Sequence, residues 1–243
     1  MKPNYQIVAS CLGGSRMYGL EGPNSDWDER GVFLNLDPSA IIGLNRFEHH
    51  DIKDGETDFF LYEYANFLKS LQKTNTQALE LLFNDKWNEI HQPMLDIIEN
   101  KSVLIDTEKF FKSLCGYIQG ERRLMLGERT GRLGGKRHAE LDKHGYSPKN
   151  AVQLLRLTWC GKFFFETGEF PTRVDKVNPD LAKRLKEIKF SPENFLPEAI
   201  NEESQVAEEE MKKAFDTRTI NYQFDPYVAN ELIRKNYLPI LQN

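Results

Sequence analysis

The apolar residues of this chain change their period at Glu63, and that change constrains the fold more than any other feature. Beyond it, Phe67, Leu68 and Leu71, then Leu79, Leu82 and Phe83, recur at three and four residues, which is one stripe of a helix. Before it the pattern is that of strands. Residues 5–10 and 31–36 are rich in β-branched and aromatic side chains and are bounded by Gly, Asn and Asp. Residues 57–62 make a third, shorter strand and 47–52 a fourth. After residue 92 the spacing predicts helices over 93–100, 107–127, 148–167, 179–188, 198–217 and 226–241. Ser147-Pro148 is a good helix start, with Ser at the cap and Pro at the first position, and Gly168 and Pro171 end that helix. The stretch 127–145, rich in Gly and basic residues, reads as one long loop. The expected fold class is therefore α+β: a small mixed sheet flanked by helices in a domain of residues 1–106, followed by a mainly helical domain of residues 107–243.

Composition narrows the function classes. At 243 residues, with 40% hydrophobic and 28% charged residues, the chain reads as an ordinary soluble globular protein with a sizeable core. No apolar run is long enough to span a bilayer and the N-terminus lacks the apolar core of a signal peptide, so a cytoplasmic protein without membrane contact is expected. Cys11, Cys115 and Cys160 form neither a disulfide framework nor a CxxC site, and read as buried free thiols. The five histidines show no zinc spacing and read as surface or loop residues. The net charge of −5 argues against a globally basic nucleic-acid binder. The charge is uneven, however: residues 120–150 carry a net +4 and residues 196–216 a net −5. A local basic segment can dock a polyanion, or it can be a solvated connector. The run Glu208-Glu209-Glu210 reads as a solvated helix face.

The chemistry is concentrated before residue 60. Gly13-Gly14-Ser15-Arg16 is followed, after ten residues counted from Ser15, by Asp26-x-Asp28 and then by an apolar strand. If Asp26 and Asp28 enter that strand, alternation puts both carboxylates on one face, with Cα atoms about 6.6 Å apart. Acids so close repel unless a cation lies between them, and Mg²⁺ takes such hard oxygen ligands while leaving positions for phosphate oxygens. Two-metal chemistry normally draws a third carboxylate from a neighbouring strand. Asp58, followed by Phe59-Phe60-Leu61, is the first candidate, with Asp51 and Asp54 behind it. The two glycines allow close backbone approach, and successive N–H groups with the Ser15 hydroxyl can cradle a triphosphate. Arg16 and Arg30 could each touch phosphate or pair with Asp26, Asp28 or Glu29 to organise the turn. No GxxxxGK[ST] occurs, so a P-loop ATPase is disfavoured.

Gly-Ser, a spacer of about ten residues, Asp-x-Asp and a later carboxylate resemble the signature of the DNA polymerase β-like nucleotidyltransferases. The fuller pattern, Gly-Gly-Ser-Arg-x-Tyr-Gly-Leu with Ser-Asp-x-Asp-x-Arg-Gly-Val, is similar to a small bacterial and phage subgroup predicted to act in RNA repair. The likeness continues through Asp58 and Asn75-x-x-x-Leu-Glu-Leu-Leu to Lys149 and Arg156, covering most of residues 7–168. It implies a metal-dependent nucleotidyltransferase that moves NMP from an NTP to a hydroxyl acceptor and releases pyrophosphate. In that reading Asp26, Asp28 and Asp58 are catalytic and bind Mg²⁺ or Mn²⁺. Gly14, Ser15 and Arg16, with Lys149 and Arg156 seven residues apart on one helix face, bind the nucleotide. The subgroup carries a His between those two cations, whereas this chain has Gln153, to which no role is assigned. An RNA or tRNA end is the preferred acceptor because of basic residues 129–149. The alternative is a non-catalytic nucleotide-binding or interaction module that kept the fold, and three mutually repelling acids count against it.

Overall fold

The computed structural model describes residues 4–43, 49–54, 57–128 and 135–242, with the backbone alone for 52–54 and 135–137. In chain order the elements are β1 (Tyr5–Leu12), α1 (Gly14–Met17), β2 (Trp27–Asn35), α2 (Pro38–Ile42), β3 (His49–Asp54), β4 (Thr57–Glu63), α3 (Tyr64–Gln72), α4 (Thr76–Leu82), β5 (Glu89–Ile90) and α5 (Gln92–Glu99). Then come α6 (Thr107–Met125), α7 (Gly135–His144), α8 (Pro148–Thr167), α9 (Val174–Val177), α10 (Pro179–Phe190), α11 (Pro197–Asp216) and α12 (Pro226–Leu241). The chain divides into two compact units, Met1–Phe110 with Asn221–Asn243, and Phe111–Ile220.

The first unit is built on a five-stranded mixed sheet in the order β3-β4-β2-β1-β5. β1 and β2 are antiparallel, β2 and β4 parallel, and β3 returns antiparallel along β4. The centre of the sheet is apolar: Val8, Ala9, Val32 and Phe33 are fully buried, and α3 adds Phe67, Leu68 and Leu71. The β1–β2 register slips between Ile7 and Ala9, and Gly31 pairs with Ser10 just beyond the slip. A Cβ at Gly31 would stand 2.2 Å from the Ala9 carbonyl oxygen, so only glycine fits there.

The last helix packs on this sheet unit, although its sequence position groups it with the helical part. The Tyr237 hydroxyl donates to Glu63 Oε1, Lys235 pairs with Asp96, and Asn236 Nδ2 donates to the Tyr64 hydroxyl at 3.1 Å. Glu63 is also the N-cap of α3, accepting from Ala65 and Asn66 N–H. Burial pushes the Tyr237 phenol well up, and the Glu63 carboxylate beside it pushes it further.

In the second unit α8 is the central helix, with Ala151, Leu154, Leu157, Phe164 and Phe165 fully buried. α11 crosses it where Gly161 meets Leu114 and Met211, leaving no room for a larger residue. α8 starts and stops where the sequence places it, ending in Gly168 with φ +79. Ser147 sits at the cap, but its hydroxyl donates to Asn150 Oδ1 at 2.7 Å, and Asn150 in turn donates to Glu121.

Three expectations are corrected here. Residues 127–145 are not one loop, because α7 fills the second part. The acidic run on α11 is not uniformly solvated. Glu208 is buried and takes ion pairs from both Arg122 and Lys212 at 2.7 Å. Burial raises its carboxyl, yet the hydrogen bonds from Lys212 and Arg122 outweigh that and hold it below the usual carboxylate range. His49 is exposed on the expected fourth strand, but His50 beside it is not a surface residue: it packs among Tyr5 and Phe33, and burial lowers its pKa. Phe47, Arg129 and Arg132, which entered the sequence expectations, lie outside the described residues. No helix among the described residues is long and apolar enough to cross a membrane.

Candidate functional site

β2 begins at Trp27, four residues earlier than its apolar run suggests, so Asp28 is inside the strand and Asp26 stands one residue ahead of it. The parallel pairing of β2 with β4 sets Asp28 opposite Asp58. Paired residues on adjacent strands stand about 4.8 Å apart and face the same way, so these two carboxylates are lateral neighbours. Asp28 is half-buried, while Asp26 and Asp58 are exposed. Of the other two candidates, Asp51 pairs with Phe60, one alternation further along the sheet, and Asp54 pairs with Thr57.

The Gly-Gly-Ser turn is folded onto this strand. Gly13 N–H donates to the Asp28 carbonyl at 2.7 Å, and the single turn of α1 follows. Gly14 has φ +56, and a Cβ there would lie 2.0 Å from Asp28 Oδ2. Backbone and carboxylate therefore meet with no side chain between them, and both the conformation and the contact demand glycine. The N–H groups of such a first turn have no acceptor within the helix. They and the Ser15 hydroxyl can serve an anion held beside Asp28.

The surroundings of the turn are polar and cross-linked. The Tyr18 hydroxyl donates to Glu80 Oε2 at 2.6 Å, which ties the turn to α4, and Glu80 is buried. Arg30 lies along Gly13 and donates to Gln77 Oε1 at 3.3 Å. Burial pushes the Tyr62 phenol up to about 12, with Arg30 opposing. The Cys11 thiol, the cross-strand partner of Arg30, is likewise pushed up to about 12 by burial and is no nucleophile. Arg16 donates to two carbonyls, Nε to Asp26 O at 3.2 Å and Nη2 to Ser25 O at 2.9 Å, and its guanidinium stacks on Trp27. Sequence reasoning missed the Tyr18–Glu80 link. Its signal was present, since both residues lie in the segments that carried the family resemblance.

Residues 2–190 match the RNA repair pathway DNA polymerase beta family. The chain belongs to this family. The matched stretch contains every candidate site residue, and family and mixed-sheet fold together point to a polymerase β-like nucleotidyltransferase. An uncharacterized protein of Methanocaldococcus jannaschii is 25% identical over 195 residues, covering 74% of this chain and 71% of that protein. A nucleotidyltransferase-like protein from Exiguobacterium sibiricum, solved by crystallography, aligns with 98% of this chain and 75% of its own at 12% identity and a TM-score of 0.29, too loosely to bear on either fold or function.

Two more residues that the family pattern singles out lie on α8, in the second unit. Lys149 is exposed in its first turn. Arg156, two turns on, is fully buried and donates to Gln153 Oε1 at 3.0 Å, while Gln153 donates to the Tyr117 hydroxyl. Gln153 thus takes a structural part, bracing the guanidinium where the family pattern carries a His.

The donor set suits a hard divalent cation: oxygen ligands only, two of them side by side, with a backbone turn closing over one. Among the described residues no group of three His, Cys, Asp or Glu side chains is already gathered as a metal cage.

Proposed function

We propose that this chain transfers a nucleoside monophosphate from an NTP to a hydroxyl acceptor, with Mg²⁺ or Mn²⁺ held by Asp26, Asp28 and Asp58. The observation that carries the reading is the register of Asp28 against Asp58, with Gly14 closed directly onto the Asp28 carboxylate. A binding module has no need of neighbouring acids at the mouth of an anion-compatible turn, because they oppose phosphate.

Bound cations would neutralise the triphosphate and favour ionisation of the acceptor hydroxyl. The chain's own residues do the rest. Gly14 and Ser15 hold phosphate oxygens through N–H groups and a hydroxyl. Asp58, exposed at the start of β4, orients the acceptor and takes up its proton. The acceptor oxygen bonds to the α-phosphorus, the bond from that phosphorus to the bridging oxygen breaks, and pyrophosphate leaves. Such catalysis is mainly positioning and charge neutralisation. Of the two cations on α8 only the exposed Lys149 is proposed to add positive charge for the triphosphate, as the family resemblance implies, because Arg156 is fully buried against Gln153. An RNA or tRNA end is the favoured acceptor, supported by the family's description and by the basic segment that ends at Lys149.

The test is incubation of the protein with each α-phosphate-labelled NTP, Mn²⁺ or Mg²⁺, and RNA carrying defined ends. Label appearing in RNA supports the reading. Label appearing only in protein or small molecules keeps the transferase and replaces the acceptor. Nucleotide binding without transfer to any acceptor overturns it in favour of a binding module.

A further inference from the structure

We infer that Arg16 is a positioning residue for the acidic strand and not a ligand of the triphosphate. This rests on the metal-site reading of Asp26, Asp28 and Asp58. Arg16 stands next to the phosphate-binding candidates Gly14 and Ser15, so its charge invites assignment to the anion. Two of its five N–H donors are committed elsewhere. Nε and Nη2 reach the successive carbonyls of Asp26 and Ser25 at 3.2 and 2.9 Å, and the guanidinium carbon lies 3.8 Å from the Trp27 ring centroid. The planar fork thus grips three consecutive residues, Ser25, Asp26 and Trp27, by backbone and ring. Ser25 is itself fixed, its hydroxyl accepting from Gly22 N–H at 2.9 Å and its N–H donating to the Gly22 carbonyl at 3.1 Å.

The consequence concerns Asp26. It precedes β2, and its side chain is exposed. Arg16 holds the Asp26 carbonyl against α1, adding to the Gly13–Asp28 backbone bond a second tie between the Gly14-Ser15 turn and the segment that carries the Asp26 carboxylate. A Lys cannot substitute. Its single ammonium carries the charge but has no planar fork to span two carbonyls while lying flat on an indole.

The two assignments predict opposite signs for metal binding in the absence of nucleotide. A cation beside the carboxylates repels Mn²⁺, so removing a mere phosphate ligand leaves Mn²⁺ affinity unchanged or improves it. Removing the brace weakens it, by roughly tenfold as for other outer supports of metal ligands. The experiment is Mn²⁺ titration of the full chain without nucleotide, by electron paramagnetic resonance. It compares wild type with Arg16→Ala, Arg16→Lys and Asp28→Asn. Expected are loss of binding in Asp28→Asn, weakened binding in both Arg16 variants, and recovery of Arg16→Lys transfer activity at raised Mn²⁺. Arg16→Lys keeps the charge and most of the stem, so it serves if Arg16→Ala does not fold. Wild-type or tighter Mn²⁺ binding by Arg16→Lys, alongside loss in Asp28→Asn, overturns the inference and leaves the metal site standing. Wild-type binding by Asp28→Asn overturns the metal-site reading and this inference with it.

Discussion

Gly14→Ala is the substitution whose consequences follow most directly from the geometry. Alanine at φ +56 costs about 1–2 kcal/mol in backbone energy alone. The new methyl would sit 2.0 Å from Asp28 Oδ2, which must retreat by roughly 1.4 Å to reach ordinary contact at 3.4 Å. An Asp side chain achieves that by turning about χ1, so the fold survives and the carboxylate leaves its place beside Asp58. A misplacement of about 1 Å in a reacting constellation costs about a hundredfold in rate, or about 2.7 kcal/mol of activation free energy. The melting temperature should fall by only about 2–8 °C. Gly13→Ala is the comparison, because the nearest atoms to its methyl belong to the flexible Arg30 side chain, at 3.0–3.2 Å. The assay is single-turnover transfer of labelled NMP, with thermal unfolding measured in parallel. A Gly14→Ala protein that transfers at the wild-type rate would refute the assignment of Asp28 to the reacting site. So would one no slower than Gly13→Ala.

Tyr18→Phe removes the hydroxyl that reaches buried Glu80, and should lower the unfolding free energy in urea by about 2 kcal/mol; a change within 0.5 kcal/mol, roughly the scale of a surface substitution, would contradict the link. Glu208→Gln tests the ion pairs of α11. The folded-state pKa of Glu208 lies below its ordinary 4.5, so its stabilisation is complete above that value and is lost as the pH falls through the lower, folded value. The gap between wild type and variant should therefore be about 3 kcal/mol near neutral pH and shrink on acidification below 4.5, and a gap that widened with acid would refute the assignment. Lys149→Ala should raise the KM for the NTP about tenfold with kcat little changed, as befits loss of one charged phosphate contact; an unchanged KM removes Lys149 from the nucleotide site.

How much of this was legible before the structure depended on how local each determinant was. The limits of α8 could be read because Pro148 and Gly168 act on their own backbone. The start of β2 was missed because Asp28, Glu29 and Arg30 are charged and border the site, while only the buried part advertises a strand. α7 was hidden by Gly134-Gly135 and by a sequence too polar for an apolar stripe. The placement of α12 on the sheet unit depends on Tyr237, Asn236 and Lys235 finding partners more than a hundred residues away. No window of sequence contains that. Asp26 and Asp28 stood out through spacing alone, and Asp58 through its strand, but the Asp28–Asp58 register is a property of the sheet. Arg16 shows the reverse case. Its charge left both a phosphate contact and an organising role in the turn open, and the hydrogen bonds it makes run to two carbonyls of the turn.

The central claim is that Asp28 and Asp58 act together on a divalent cation to move a nucleotide. The most direct measurement is the Mn²⁺ dependence of labelled-NMP transfer by wild type, Asp28→Asn and Asp58→Asn, each a near-isosteric change that removes one charge. Transfer by wild type that requires Mn²⁺ or Mg²⁺ and falls by about a thousandfold or more in each variant, with folding intact, is the predicted result. Metal-independent transfer, or transfer that survives either substitution, would contradict it.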